Sequence, residues 1–177
     1  MTMDNYELLL SRRSIRQFTE EIPSKEAVVK CIKAAMYAPS ARNQQPWQFM
    51  IIDDRKVMDK LSEVSENLRL IKKLPLIVGV FADSTFDKSP NSWVLDCAAA
   101  TQNFLLAAHA QNLGAVWMGV YPREDRYIPV KQVLNLPKNI TPFSIIGIGF
   151  PNEMPSFPNR FYPERIRYND WENPLDF

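Results

Sequence analysis

The sequence predicts a domain of mixed helices and strands followed by an extended C-terminal segment, and three observations support this. Four short apolar runs have the composition of strands, while apolar residues recur at helical spacing between them. The chain has 177 residues, 46% of them hydrophobic and 23% charged, so it is long enough to bury one core. After Phe150 both patterns stop and prolines become frequent. We therefore expect a single domain over residues 1–177, with residues 151–177 outside its core.

The N-terminal half is predicted to contain three helices and two strands. Capping residues and apolar spacing predict the three helices. The first covers residues 5–10 and follows Thr2 or Asp4, and the second covers residues 25–37 and follows Pro23-Ser24. The third covers about eleven residues after Asp53 or Asp54. The second helix stops before Pro39, because the residue before a proline is disfavoured in the helical region. Strands are predicted at residues 47–52 and at residues 76–81, and the uninterrupted apolar run of the second indicates cover on both faces.

The C-terminal half is predicted to contain the longest helix and two further strands. The helix covers residues 92–111 and ends at Asn112-Leu113-Gly114, and its middle is apolar nearly all the way round. A helix of this kind is expected to be buried, with its alanines letting a second helix pack closely. The strands are predicted at residues 115–120 and 145–150, with a short helix at residues 124–134 between them.

Residues 151–177 differ in composition from the rest of the chain. Five prolines interrupt the segment, and it holds six large aromatic residues: Phe157, Phe161, Tyr162, Tyr168, Trp171 and Phe177. So many large apolar side chains are rarely left in water. We therefore expect an extended arm that lies on a surface, and a partner subunit is the natural place for it.

Composition and residue types exclude several classes of protein. A net charge of +1 argues against nucleic-acid binding, and no apolar run reaches the roughly 18 residues that span a bilayer. Two isolated cysteines and the absence of a signal-peptide pattern predict a cytoplasmic protein with no membrane partner. The single histidine, His109, cannot form a zinc site with two remote cysteines, and a helix-embedded histidine is a poor candidate for a catalytic triad. Gly147-Ile148-Gly149 lacks the third glycine of a dinucleotide fingerprint.

The segment from Ser11 to Phe18 carries the one concentrated chemical signal of the chain. Arg12, Ser14 and Arg16 point to one side if the segment is extended, and guanidinium groups match the oxygens of a phosphate monoester. The alternative is a solvated basic helix end, since cations are favoured near a helix C-terminus. An anion site without the usual catalytic acids, bases or metals suits a protein whose reactivity comes from a bound phosphorylated cofactor.

Two motifs together resemble the FMN-dependent nitroreductase family. The first is Ser11-Arg12-Arg13-Ser14-Ile15-Arg16, and the second is Ala38-Pro39-Ser40-Ala41-Arg42-Asn43-Gln44-Gln45-Pro46-Trp47. Their separation matches the family pattern, and the resemblance continues through Asp96–Asn103, Leu113–Gly119 and the tail around Arg160. It implies an α+β fold of three layers, helices on both faces of a mainly antiparallel sheet, with a long buried helix. It also implies a homodimer whose C-terminal arm extends over the partner subunit.

The resemblance assigns expected cofactor contacts residue by residue. Arg12 and Ser14 match phosphate ligands of FMN, Arg13 lies in the same motif, and Arg16 matches a cation beside the pyrimidine edge of the flavin. Pro39, Ser40 and Asn43 match residues that reach the FMN of the other subunit. Met118 and Gly119 match a strand end whose backbone approaches flavin N5. Arg160 matches a second phosphate-binding cation. Many members carry a lysine near this arginine and this chain does not. Some members place an asparagine and a lysine before the second strand, and Asn67 and Lys72 are possible matches that no neighbouring motif anchors.

The implied activity is that of an oxidoreductase in which the flavin carries the chemistry and no side chain acts as a catalytic acid or base. NADH or NADPH would donate hydride, and a small electron acceptor such as a nitroaromatic or a quinone would then be reduced with ping-pong kinetics. The alternative is a flavin-binding protein that stores or senses FMN without appreciable turnover. Both readings need no metal. A third alternative is a specialised reaction such as dehalogenation or flavin breakdown.

Overall fold

The computed structural model describes residues 4–86 and 88–174 and shows a four-stranded antiparallel sheet with helices on both faces. The strands follow the order β1-β2-β4-β3, and every neighbouring pair is antiparallel. The strands are β1 (Trp47–Ile52), β2 (Leu76–Asp83), β3 (Gly114–Gly119) and β4 (Ile140–Gly149). The helices are α1 (Asn5–Ser11), α2 (Lys25–Met36), α3 (Arg55–Glu63), α4 (Trp93–Ala110) and α5 (Glu124–Val133).

Alternation along the two central strands divides the core into two halves. Val78 of β2 and Ile146 of β4 face the half that is closed by α2 and α4. Ile77 and Ile145 face the opposite half, where residues of α3, α5 and the 3-10 helix Glu66–Lys73 complete the packing. The sheet therefore lies between two helical layers, as the predicted three-layer architecture requires.

Helices α2 and α4 pack closely because small residues line their contact. Ala35 of α2 and Ala100 and Ala108 of α4 are all fully buried in the same half of the core. Asn103 of α4 donates a hydrogen bond to the carbonyl of Ala34 at 3.1 Å, which adds a polar contact to the helix pair. The middle of α4 is buried as expected, with Ala100, Phe104 and Ala108 at 0% exposure, whereas Leu95 in its first turn is 72% exposed in the single chain.

Several boundaries differ from the sequence-based expectations. Strand β4 begins at Ile140, five residues before the predicted residue 145, because Pro142 is accommodated beside a register shift between Val80 and Phe81 of β2. The 3-10 helix Glu66–Lys73 was not predicted, and α3 is shorter than expected. Asp54 is the cap of α3, and its carboxylate accepts the N–H of Lys56 at 2.8 Å. Thr2, one of two proposed caps for α1, lies outside the described residues.

The basic segment and the start of the tail run beside the end of the sheet. Ser14 forms an isolated parallel bridge with Ala115 of β3, and Phe18 forms an antiparallel bridge with Pro151. Gly149 is needed at this point, because a Cβ there would lie 2.8 Å from the ring of Phe18. The segment that follows α1 is thus held against the edge of β3. Within the described residues, none of the helices combines the length and the hydropathy needed to cross a bilayer.

Candidate functional site

The basic segment is anchored by the side chain between its arginines. Ile15 is buried, and its N–H donates to the carbonyl of Ala115 at 3.0 Å. Gly114 allows this close approach, because a Cβ at that position would lie 2.8 Å from Cγ2 of Ile15. The backbone around Ile15 is therefore fixed, and the arginines on either side project from a rigid support.

Arg12, Arg13 and Arg160 form a cluster of cations without a carboxylate partner. The pKa of Arg12 is lowered, first because the guanidinium is partly buried and then because Arg160 and Arg13 lie close to it. Across residues 4–86 and 88–174, no acidic side chain forms an ion pair with any of these three arginines. Adjacent guanidinium groups repel one another, so an anion bound between them would stabilise the cluster.

Arg13 and Arg16 differ in what they already contact. Arg13 donates to the carbonyl of Leu10 at 2.7 Å and to that of Ser156 at 3.2 Å, and its guanidinium lies 4.9 Å from the ring centre of Phe157. It therefore ties the tail to the end of α1. The side chain of Arg16 is exposed, while its backbone N–H donates to the carboxylate of Glu153.

His109 lies behind the arginine cluster and contacts Ser11. The Nε2 atom of His109 is 2.8 Å from the hydroxyl oxygen of Ser11, and both residues line a cavity of about 240 Å³ with Arg13. Burial, followed by the nearby charges of Arg12 and Arg13, lowers the pKa of His109. In the described part of the chain no carboxylate is hydrogen-bonded to His109, so the geometry of a Ser–His–Asp triad is not present.

The loop after α2 has a strained backbone that is held by a buried polar network. Arg42, Asn43 and Gln45 have φ angles of 49°, 53° and 48°, which place three non-glycine residues in the left-handed region. The buried carboxylate of Asp96 accepts the N–H of Ala41 at 2.9 Å and the side-chain amide of Gln44 at 2.6 Å.

Further hydrogen bonds within the same loop involve two of the predicted site residues. Gln45 donates through its backbone to Ser40 Oγ at 3.1 Å and through its side chain to Asn43 Oδ1 at 2.8 Å. Strained backbone of this kind occurs preferentially at functional sites, where the surrounding structure holds it in place. Pro39, the third predicted residue of the loop, is exposed.

The far end of β3 presents a glycine that internal packing does not explain. A Cβ built on Gly119 would meet nothing within 4 Å, whereas at the other four glycines it would approach a side chain closely. Gly119 does not adopt a positive φ. The neighbouring Met118 is 3% exposed, so its side chain belongs to the core.

The carbonyl of Gly119 accepts two hydrogen bonds from other elements. Asn67, in the 3-10 helix, donates through Nδ2 at 3.0 Å, and Arg126, in α5, donates through Nη1 at 3.2 Å. From the sequence, Asn67 was a possible site residue that no motif anchored, and no pattern pointed to Arg126. Only the folded chain brings these two residues to the end of β3.

The chain is similar to known proteins over nearly its whole length. The sequence profile of the Nitroreductase family matches residues 9–73 and 83–150. This chain belongs to the nitroreductase family. A protein of Methanothermobacter thermautotrophicus, provisionally named NADH dehydrogenase/NAD(P)H nitroreductase, is 40% identical over 169 residues, which cover 96% of this chain and 88% of the relative.

Solved structures of the nitroreductase family share this fold. A Parabacteroides distasonis protein with the same provisional name has a TM-score of 0.89 at 38% identity, over 94% of this chain and 98% of the other. A provisionally named nitroreductase of Desulfovibrio desulfuricans, solved in complex with FMN, has a TM-score of 0.85 at 31% identity, over 96% of this chain and 99% of the other. The predicted family and its fold are confirmed.

The nitroreductase-family motifs of this chain are brought together only in part. Arg12, Arg13 and Arg160 are neighbours, although Arg160 lies far along the chain. No hydrogen bond or ion pair between described residues joins the loop containing Pro39, Ser40 and Asn43 to that cluster. Two other arginines of the tail contact aromatic rings: the guanidinium of Arg165 lies 4.2 Å from the ring centre of Tyr162, and that of Arg167 lies 5.5 Å from the ring centre of Trp171.

Proposed function

We propose that this protein is an FMN-dependent oxidoreductase that uses NADH or NADPH to reduce small acceptors such as nitroaromatics or quinones. The observation that carries the proposal is the cluster of Arg12, Arg13 and Arg160, which has three positive charges and no carboxylate partner within the described residues. A phosphate monoester carries about −1.5 to −2 charges and matches such a cluster. Membership of a family with an FMN-bound member supports the same conclusion.

The chain also offers a place for the flat ring of the cofactor. Gly119 leaves open space where any other residue would place a Cβ, and neither its φ angle nor a neighbouring side chain requires glycine. A glycine of this kind is expected where a ligand comes close to the backbone. The phosphate would be held by Arg12, Arg160 and Ser14, and the ring would lie along the backbone of Met118 and Gly119, with Arg16 beside it.

When bound, FMN supplies the hydride chemistry, and the residues of the chain bind and orient it. A cation such as Arg16 favours negative charge on a neighbouring ring and so favours its reduced form. No general acid or base is required from the protein, since protons are available from water. The reductant and the acceptor are expected to use one binding face in turn, which predicts ping-pong kinetics.

We further propose a homodimer in which residues 151–177 form an arm over the partner subunit. Met154 is 93% exposed, Phe157 70% and Trp171 78% in the single chain, as is expected for side chains that a second subunit covers. The loop with Pro39, Ser40 and Asn43 would then complete the cofactor site of the partner. Burial of each large aromatic side chain contributes about 1.5–3 kcal/mol, which here stabilises the dimer.

Truncation tests the dimer proposal. Removing residues 164–177 keeps Arg160 and every proposed phosphate ligand, yet it should weaken both the dimer and FMN binding. Sedimentation across a dilution series and the flavin content of each fraction measure the two effects. A truncated protein that stays dimeric and loaded with FMN at sub-micromolar concentration would show that the arm does not hold the subunits together.

A visible spectrum tests the oxidoreductase proposal. The purified protein should absorb at about 450 nm, as flavins in general do, and anaerobic addition of NADH or NADPH should remove that absorbance. A nitroaromatic or quinone added afterwards should restore it. A protein that binds FMN but is not reduced by either nicotinamide is the alternative, a storage or sensor protein, and a protein that binds no flavin contradicts both.

A further inference from the structure

We propose that Arg126 is a positioning residue that fixes the peptide between Gly119 and Val120, together with Asn67, and adds positive charge at the end of β3 where the flavin binds. The proposal rests on the proposed function, because the flavin is the group that this charge would act on. It adds a cation to the four arginines of the expected site, Arg12, Arg13, Arg16 and Arg160, and this cation comes from α5, which carries none of them.

The peptide is held at both of its polar ends. Its carbonyl, from Gly119, accepts hydrogen bonds from Asn67 at 3.0 Å and from Arg126 at 3.2 Å. Its N–H, from Val120, donates to the carbonyl of Phe143 in β4 at 3.2 Å. Three separate elements thus set the plane of one peptide, and that peptide follows the glycine whose open side has no other explanation.

The environment of Arg126 is unusual for a residue with only a packing role. Its side chain is partly buried, and its Nε atom is buried with no hydrogen-bond partner within the described residues. No carboxylate in that part of the chain forms an ion pair with it: Asp125 pairs with Arg123 at 3.1 Å, and the charge of Arg126 acts on Asp125 only from a greater distance. A partly buried guanidinium without a directly bound carboxylate is costly to keep, and a neutral donor such as Asn67 would be enough to hold the carbonyl.

The charge has a defined effect on a group placed beside Gly119. A carbonyl oxygen carries partial negative charge and would oppose the negative charge that a flavin gains on reduction. Two donors on that oxygen, one of them cationic, offset its charge and leave a net positive potential. Fixed positive potential favours the reduced, anionic form of the ring over the oxidised, neutral form. Arg126 should therefore strengthen binding of reduced FMN more than binding of oxidised FMN.

The test compares the dissociation constants of oxidised and reduced FMN for full-length variants, measured anaerobically on apo protein reloaded with FMN. Arg126→Met removes the charge and the donor, Arg126→Gln keeps a donor, and Arg126→Lys keeps the charge. Arg123→Met is the matched control, since it removes an exposed cation of the same turn that already has a carboxylate partner. The ratio of the two constants is independent of turnover and reports the shift in reduction potential directly.

Loss of the charge should weaken binding of the reduced form relative to the oxidised form by roughly tenfold, which for a two-electron couple corresponds to about 30 mV. Arg126→Gln should show the same loss, while Arg126→Lys and Arg123→Met should stay within about twofold of the wild type. If the Met variant does not fold, the Gln and Lys pair decides between charge and structure. Equal ratios for the Gln, Lys and wild-type proteins would overturn the inference while leaving the proposed function intact. Wild-type protein that binds no FMN would overturn both.

Discussion

Gly119→Ala should maintain or raise the stability of the fold while it impairs cofactor binding, and this contrast tests the proposed site. A Cβ at Gly119 meets nothing within 4 Å and the residue has no positive φ, so the folded chain tolerates alanine without strain. Glycine in a strand is destabilising by roughly 0.5–1 kcal/mol relative to alanine. The free energy of unfolding of the apo protein should therefore stay the same or rise by about that amount.

The same methyl group should collide with a flavin that lies on the backbone at this point. Adding a methyl group to a close-packed contact typically costs about 1–3 kcal/mol. We therefore expect the dissociation constant for FMN to rise roughly ten- to hundredfold. Fluorescence titration of apo protein with FMN measures the dissociation constant, and urea denaturation of the same preparation measures the stability.

Gly114→Ala at the other end of β3 is the matched control. Its Cβ would lie 2.8 Å from Cγ2 and 2.9 Å from Cβ of Ile15, and the Cβ atom cannot move without shifting the backbone. This variant should lose stability, by about 1–3 kcal/mol. If Gly119→Ala binds FMN as the wild type does, no ring lies against that glycine and the proposed placement is wrong.

Two further predictions address the arginine cluster and the histidine behind it. Arg12→Ala should weaken FMN binding roughly ten- to hundredfold through loss of a charge-assisted hydrogen bond. Arg165→Ala should not weaken it, because the guanidinium of Arg165 lies 4.2 Å from the ring centre of Tyr162 and outside the matched motif. Equal dissociation constants of FMN for the two variants would contradict the assignment. Because burial, Arg12 and Arg13 lower the pKa of His109 in the folded apo protein, stability should fall as pH drops through about 6.5, where the unfolded chain takes up a proton. His109→Gln should reduce that fall between pH 7.5 and about 5.5 in urea denaturation, and an unchanged pH profile would show that His109 does not contribute.

Local signals in the sequence were enough to predict most of the secondary structure. Asp54 was a proposed cap and does cap α3, and Ser24, placed at the start of α2, accepts the N–H of Ala27 at 3.2 Å. The predicted start of β4 was wrong. A proline inside an apolar run argues against a strand, and here a register shift in the partner strand makes room for it. That register shift depends on the partner strand and cannot be read from residues near Pro142.

In the candidate site, too, the residues within contiguous motifs could be predicted from the sequence, and the contacts between distant residues could not. The arginine segment and the loop with Asn43 were visible as motifs because each is contiguous in sequence. The contacts of Asn67 and Arg126 with Gly119 join residues that are 52 and 7 positions apart, and only the packing of the 3-10 helix and α5 against β3 brings them together. The exposure of Leu95 in α4 has no local signal in the sequence, since an apolar helix surface is equally suited to a core and to a subunit interface.

The loop after α2 bears on how the whole site is assembled. Residues held at φ near +50° cost of order 1 kcal/mol each, and this loop has three of them within four positions. Asp96 and Gln44 maintain that backbone through short hydrogen bonds of 2.9 and 2.6 Å, although no hydrogen bond or ion pair between described residues connects the loop to the arginine cluster of the same chain. Strained backbone that the surrounding structure holds in place is typical of functional sites. We therefore propose that the loop acts in the homodimer, in which each subunit would supply the arginines of one cofactor site and the strained loop of the other.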